Sequence, residues 1–123
     1  MLSVGTVVIG VEDLHRALEF WTQALGYVPK RTVSPDDDFM ILVPARGEGA
    51  HLALDVSESP VQLYPRIHLD LYAGDAADQA AEVERLVSLG ATQVDWDRYP
   101  EHADFVVMAD TEGNRFCVID TSG

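Results

Sequence analysis

The strongest constraint on this chain is that it repeats itself. Asp13 and Asp75 each stand just before an amphipathic run, 62 residues apart, and the runs close at Gly26 and Gly90, 64 apart. Later segments also correspond. Asp38-Phe-Met-Ile-Leu42 matches Asp104-Phe-Val-Val-Met108, and Gly47-Glu-Gly49 matches Thr111-Glu-Gly113. Two copies of one plan in 123 residues predict a single domain of two modules, long enough to bury a core without staples. We place module one at 1–57, a connector at 58–65 and module two at 66–121. The connector carries Pro60 and Pro65 and shows no periodicity.

Within module one, Val4–Val11 reads as a buried strand. Asp13 can accept from backbone N–H groups two and three residues on, which starts a helix. Leu14, Ala17, Leu18, Trp21, Ala24 and Leu25 then form an apolar stripe at helical spacing, and Gly26 can take the left-handed conformation that ends it. Tyr27–Val33 is extended. Phe39–Val43 and His51–Val56 pair as a hairpin. Module two repeats this order. Residues 66–75 alternate, with Ile67, Leu69 and Leu71 on one face and His68, Asp70 and Tyr72 on the other. A helix over Asp75–Leu89 is expected to bury Ala76, Ala80, Val83 and Val87. Strands follow at Ala91–Trp96, Phe105–Ala109 and Arg115–Asp120. The fold class is therefore α+β, two βαβββ modules in a mixed sheet with one helix each. One helix per module leaves a sheet face uncovered, and two such faces can curl round a shared, cup-like cavity.

Charge and cysteine content narrow the partners. The net charge of −13, from 21 acids against 8 bases, repels phosphate backbones and excludes nucleic acid. The same excess favours cationic or amine-bearing small molecules. No apolar run reaches the ~20 residues of a bilayer span, and the first residues lack the basic region of a signal peptide. One cysteine, Cys117, permits no internal disulfide. Together these features point to a cytoplasmic protein with no membrane partner. There is no glycine-rich phosphate loop, no serine nucleophile elbow and no CxxC pair.

The twin βαβββ plan, the Phe20-Trp21…Leu25-Gly26 helix end and the run Asp110-Thr-Glu-Gly-Asn-Arg-Phe-Cys-Val118 resemble the vicinal oxygen chelate superfamily. That group includes glyoxalase I, bleomycin-resistance proteins and extradiol dioxygenases. The similarity spans nearly the whole chain and is nearest to the small stand-alone glyoxalase-like branch. It implies a curved, open cup and a homodimer. Catalytic members hold a divalent metal with one residue from the first strand and one from the last strand of each module. Carried onto this sequence, those positions are Thr6, Ala53, His68 and Cys117. Alanine has no donor atom and a threonine hydroxyl is a poor one, whereas a catalytic metal needs about three protein ligands.

Two site chemistries stay open. A shifted set of His51, His68 and Cys117, with Asp55 or Asp70, would suit zinc by ligand softness and would also admit nickel, manganese or iron. Alternatively no metal is held, and His68 is a cavity liner or a general base steadied by Asp70. Our expectation is a metal-independent small-molecule binding protein. Its cavity would be lined by Thr6, Val8, Ala53, His68, Tyr72, Trp96, Met108 and Cys117. Trp96 and Tyr99 flank a loop with Asp95, Asp97 and Arg98, and two large aromatics beside acids suit a flat or cationic ligand. The rival is a divalent-metal lyase, isomerase or dioxygenase-like enzyme with His68 among its ligands.

Overall fold

The computed structural model describes all residues 1–123. Its elements are β1 (Thr6–Val11), α1 (Leu14–Leu25), β2 (Tyr27–Pro29), β3 (Phe39–Pro44), β4 (His51–Val56), β5 (Asp70–Gly74), α2 (Ala76–Ser88), β6 (Thr92–Gln93), β7 (Phe105–Ala109) and β8 (Arg115–Asp120). The chain divides into two compact units, Met1–Pro60 and Val61–Gly123. Each holds one four-stranded sheet, ordered β1-β4-β3-β2 in the first and β5-β8-β7-β6 in the second. In both, the strand before the helix runs parallel to the last strand, and the other pairings are antiparallel. The α+β class and the βαβββ plan of each module are as the duplication requires.

The helices begin as the aspartates dictate. Asp13 accepts a hydrogen bond from the Arg16 N–H at 3.1 Å. Asp75 accepts one from the Asp78 N–H at 2.9 Å, while the Asp78 carboxylate accepts from the Asp75 N–H at 3.2 Å, closing a capping box. In the first unit α1 buries Leu14, Ala17, Leu18, Phe20 and Trp21. Val11, Met40, Leu42, Leu52, Ala53 and Leu54 complete the buried set. Phe20 and Trp21 meet edge to face with ring centroids 5.0 Å apart, the arrangement that aromatic quadrupoles favour. Removing the Trp21 ring should cost about 3–5 kcal/mol.

The second helix seats differently from the expectation. Leu86 is its buried residue, whereas Ala76 and Ala80 are exposed and Val87 is 48% exposed. The stripe toward the sheet runs Gln79, Val83, Leu86, spaced four and three. Gln79 fixes that rotation, because its side-chain amide donates to the carbonyls of Val118 at 2.9 Å and Asp104 at 3.0 Å. Two backbone acceptors outweigh the small gain from burying alanine methyl groups.

Four strand expectations also change, the first being that β1 runs Thr6–Val11 with only Val11 buried, not Val4–Val11 as a buried strand. The segment before α2 joins the ladder only from Asp70, so His68 precedes β5 and Ile67 is 83% exposed instead of facing a core. The partner strand β8 begins at Arg115, and Asp70 pairs with Cys117, so little of β8 remains to pair with earlier residues. The strand expected at Ala91–Trp96 shrinks to Thr92–Gln93, and Tyr27–Val33 shrinks to Tyr27–Pro29. The register of the parallel strand pairs settles the module correspondence. Val8 pairs with Ala53, and Asp70 pairs with Cys117, so Ala53 and Cys117 are equivalent positions. His51 is thereby equivalent to Arg115.

Candidate functional site

In each sheet, neighbours in register share a face. In the second unit Phe105 and Val107 stand opposite Ile119 and Cys117, and Cys117 and Ile119 stand opposite Asp70 and Tyr72. The alternate residues, Met108 with Phe116 and Val106 with Val118, turn to the other face. The first face carries an open hollow of about 500 Å³. Around it stand His68, Asp70 and Tyr72 from β5 and its approach, Arg115 and Cys117 from β8, and Trp96 from beyond β6.

His68, Asp70 and Cys117 form its chemical centre. The Nδ1 of His68 lies 3.0 Å from Oδ1 of Asp70, with both side chains nearly half exposed. If Nδ1 carries the proton and donates it to the carboxylate, Nε2 is left as a free lone pair. Cys117 is buried, and its thiol is pushed up from 9.0 to about 11, first by burial and second by the charge of Asp70. It is therefore a neutral, small apolar wall and not a thiolate at neutral pH.

An aromatic and cationic cluster forms the side of the hollow near Trp96. Tyr64 and Trp96 pack with ring centroids 5.1 Å apart, and the Arg98 guanidinium lies 3.9 Å above the Tyr64 ring. The Tyr64 hydroxyl donates to Asp97 at 3.0 Å, and that bond raises its pKa above the ordinary phenol value. Tyr64 and Pro65 lie in the stretch that reads as a connector, yet both belong to the second unit. Pro65 also lines the hollow. Sequence reasoning missed Tyr64, Arg115 and Phe105. Their signal was parity with Cys117 for the latter two, and for Tyr64 only an aromatic beside a proline.

The remaining expected residues are placed as follows. Tyr72 and Trp96 line the hollow. Met108 does not, being fully buried on the opposite face. Tyr99 is occupied structurally. Its hydroxyl accepts the Val107 N–H at 2.8 Å, and its ring packs on Phe105 at 5.3 Å. Thr6, Val8, His51, Ala53 and Asp55 share one face of the first unit's sheet by register. There Thr6 and Val8 are exposed and Ala53 is fully buried.

The family's metal does not fit the positions it would use. Ala53 offers no donor and Thr6 a poor one. In the second unit, ligand atoms of His68, Asp70 and Cys117 do lie within 4.8 Å of one another. That trio mixes nitrogen, oxygen and sulfur as zinc sites do. In the metal-free protein the Asp70 carboxylate is engaged with His68 Nδ1, and burial keeps the Cys117 sulfur as a thiol.

Comparison with known proteins agrees with this architecture. A glyoxalase-like domain model matches residues 6–119. A glyoxalase-related enzyme from Fulvimarina pelagi is 18% identical, with a TM-score of 0.71, over 98% of this chain and 89% of that one. A glyoxalase/bleomycin resistance protein/dioxygenase family enzyme from Burkholderia phytofirmans is 16% identical, with a TM-score of 0.73, over 97% and 98%. A member of the same superfamily from Sphaerobacter thermophilus is 21% identical, with a TM-score of 0.66, over 98% of each chain. No curated protein matches the chain. No helix is long and apolar enough to cross a membrane. With a duplicated βαβββ plan and a domain match over residues 6–119, the chain belongs to the glyoxalase-like domain family of the vicinal oxygen chelate superfamily.

Proposed function

We propose that this protein binds a small, flat organic molecule in the hollow of its second unit without a metal, in the manner of a sequestering or resistance protein. The observation that carries the reading is the pairing of an aromatic wall with an incomplete ligand set. Trp96, Tyr72 and Phe105 line the hollow, while the family's ligand positions hold Thr6 and Ala53. Stacking on such rings supplies affinity, and a few polar groups then orient the ligand. His68 acts in this reading as an orienting hydrogen-bond partner, its ring held by Asp70. We assign the protein a homodimeric, cytoplasmic existence on the same terms. Exposed strand residues such as Val8 at 55% and Val56 at 45% are apolar surface that a second copy would cover. The test is a ligand screen by thermal shift on tag-free protein, comparing the parent with Trp96→Ala. Ligands that stabilise the parent should lose that effect in the variant. Undiminished stabilisation in the variant would remove the hollow from the account.

One observation favours a second reading, the convergence of His68, Asp70 and Cys117 ligand atoms within 4.8 Å. On that reading the three residues hold a divalent ion, and the protein is a lyase, isomerase or dioxygenase-like enzyme. Elemental analysis separates the two.

A further inference from the structure

The hollow contains an arginine whose chemistry is incomplete. The Nε of Arg115 is buried without a hydrogen-bond partner. Arg115 opens β8 opposite Ala109 and lines the hollow two residues before Cys117. A guanidinium keeps its charge at any physiological pH, and a buried donor left unpaired costs free energy comparable to a lost hydrogen bond. Structural arginines normally satisfy Nε through a carboxylate or carbonyl, so this one is set for an acceptor that arrives from outside.

The other charged groups around the hollow are arranged so as not to supply that acceptor. Asp70 is engaged by His68 at 3.0 Å. Asp97, beside the hollow, takes the Tyr64 hydroxyl at 3.0 Å. Asp104 precedes β7, whereas Arg115 pairs with Ala109 at the far end of that strand. The two are roughly 17 Å apart along the hairpin, at ~3.4 Å per residue. Arg98 adds a second guanidinium, stacked over Tyr64. Thus a chain with 8 bases against 21 acids brings two of its arginines to one hollow. The overall negative field weakens with a screening length of ~8 Å at physiological salt, so the local charges decide what binds.

We propose that the hollow is selective for small planar carboxylates, with the ligand's ring against Trp96 and its carboxylate on Arg115, assisted by Arg98. A carboxylate offers two parallel acceptors to a guanidinium, and seating it on Nε requires the Arg115 side chain to turn that edge, sealed from solvent in the free protein, toward the hollow. This inference rests on the ligand-binding reading above and replaces the cationic preference that net charge alone implies.

The test uses three probes of one shape and different charge: benzoate, benzamide and benzamidine as its cation. Each is titrated into tag-free full-length protein and followed by amide chemical shifts in nuclear magnetic resonance. Benzoate should bind at least tenfold more tightly than the other two. Arg115→Met, which keeps the length and removes the donors, should weaken benzoate by about 10- to 100-fold and leave benzamide unchanged. Its unfolding midpoint should not fall, because Nε holds nothing in the fold. If that variant fails to fold, the arginine is structural and the inference is overturned. Arg115→Lys, which keeps charge without the fork, should lose most of the benzoate preference; full retention would overturn the bidentate assignment. Preference for benzamidine in the parent would overturn carboxylate selectivity while leaving the hollow as a binding site. No shifts with any probe would overturn both.

Discussion

His68 Nδ1 and Asp70 Oδ1 stand 3.0 Å apart at the entry to β5, and Asp70 faces Cys117 across the ladder. A pair this exposed contributes at most about 1 kcal/mol to folding. His68→Gln should therefore shift the urea midpoint only slightly while changing affinity for any ligand of the hollow. A large loss of stability without a change in affinity would make the pair a structural device.

Cys117 carries a clear pH signature. Its thiol rises from 9.0 to about 11 in the folded chain, so the folded state holds that proton more tightly than the unfolded state. The associated stability is complete below roughly pH 9 and disappears as pH climbs through about 11. Urea melts should show a decline over that window in the parent and a shallower one in Cys117→Ala. At neutral pH, iodoacetamide should label native Cys117 far more slowly than a free thiol peptide.

Gly26 and Gly90 close their helices in backbone conformations that side chains avoid, at φ 67° and 116°. Gly26 is the left-handed cap itself, with its N–H donating to the Thr22 carbonyl. Gly90 follows the capping residue Leu89, and a Cβ there would lie 3.0 Å from Cγ2 of Thr111. Gly26→Ala should cost about 1 kcal/mol, and Gly90→Ala more, since strain and crowding add. Equal unfolding midpoints for parent and both variants would refute this.

These positions show what the sequence could and could not convey. Caps and helix ends are local chemistry, so Asp13, Asp75 and Gly26 read correctly from neighbours alone. So do β4, β7 and β8, whose apolar residues are bounded by turn residues. Misreadings arose where a distant partner decides. Alternation continues back through His68 and Ile67, but a strand extends only while a neighbouring strand pairs with it, and the β5–β8 ladder starts at Asp70. Met108 and Cys117 read as sharing a face until the hairpin register puts Val107 opposite Cys117. Tyr64 looked like linker because nothing local marks an aromatic that packs on Trp96, 32 residues away. Arg115 read as an ordinary strand residue, since an unpaired buried Nε is visible only in three dimensions.

Self-association is expected through the uncovered sheet faces. Light scattering at micromolar concentration should return about 27 kDa, twice the 13.5 kDa chain, and Val8→Asp should shift it toward the monomer. A clean 13.5 kDa species in the parent would refute the dimer.

The central claim is that ligand binding in this hollow needs no metal. Its most direct measurement is elemental analysis of tag-free protein, paired with a ligand titration before and after exhaustive chelation. The account predicts no stoichiometric metal and superimposable titrations. A stoichiometric zinc, nickel, manganese or iron that chelation removes together with binding, and that His68→Gln fails to retain, would contradict it.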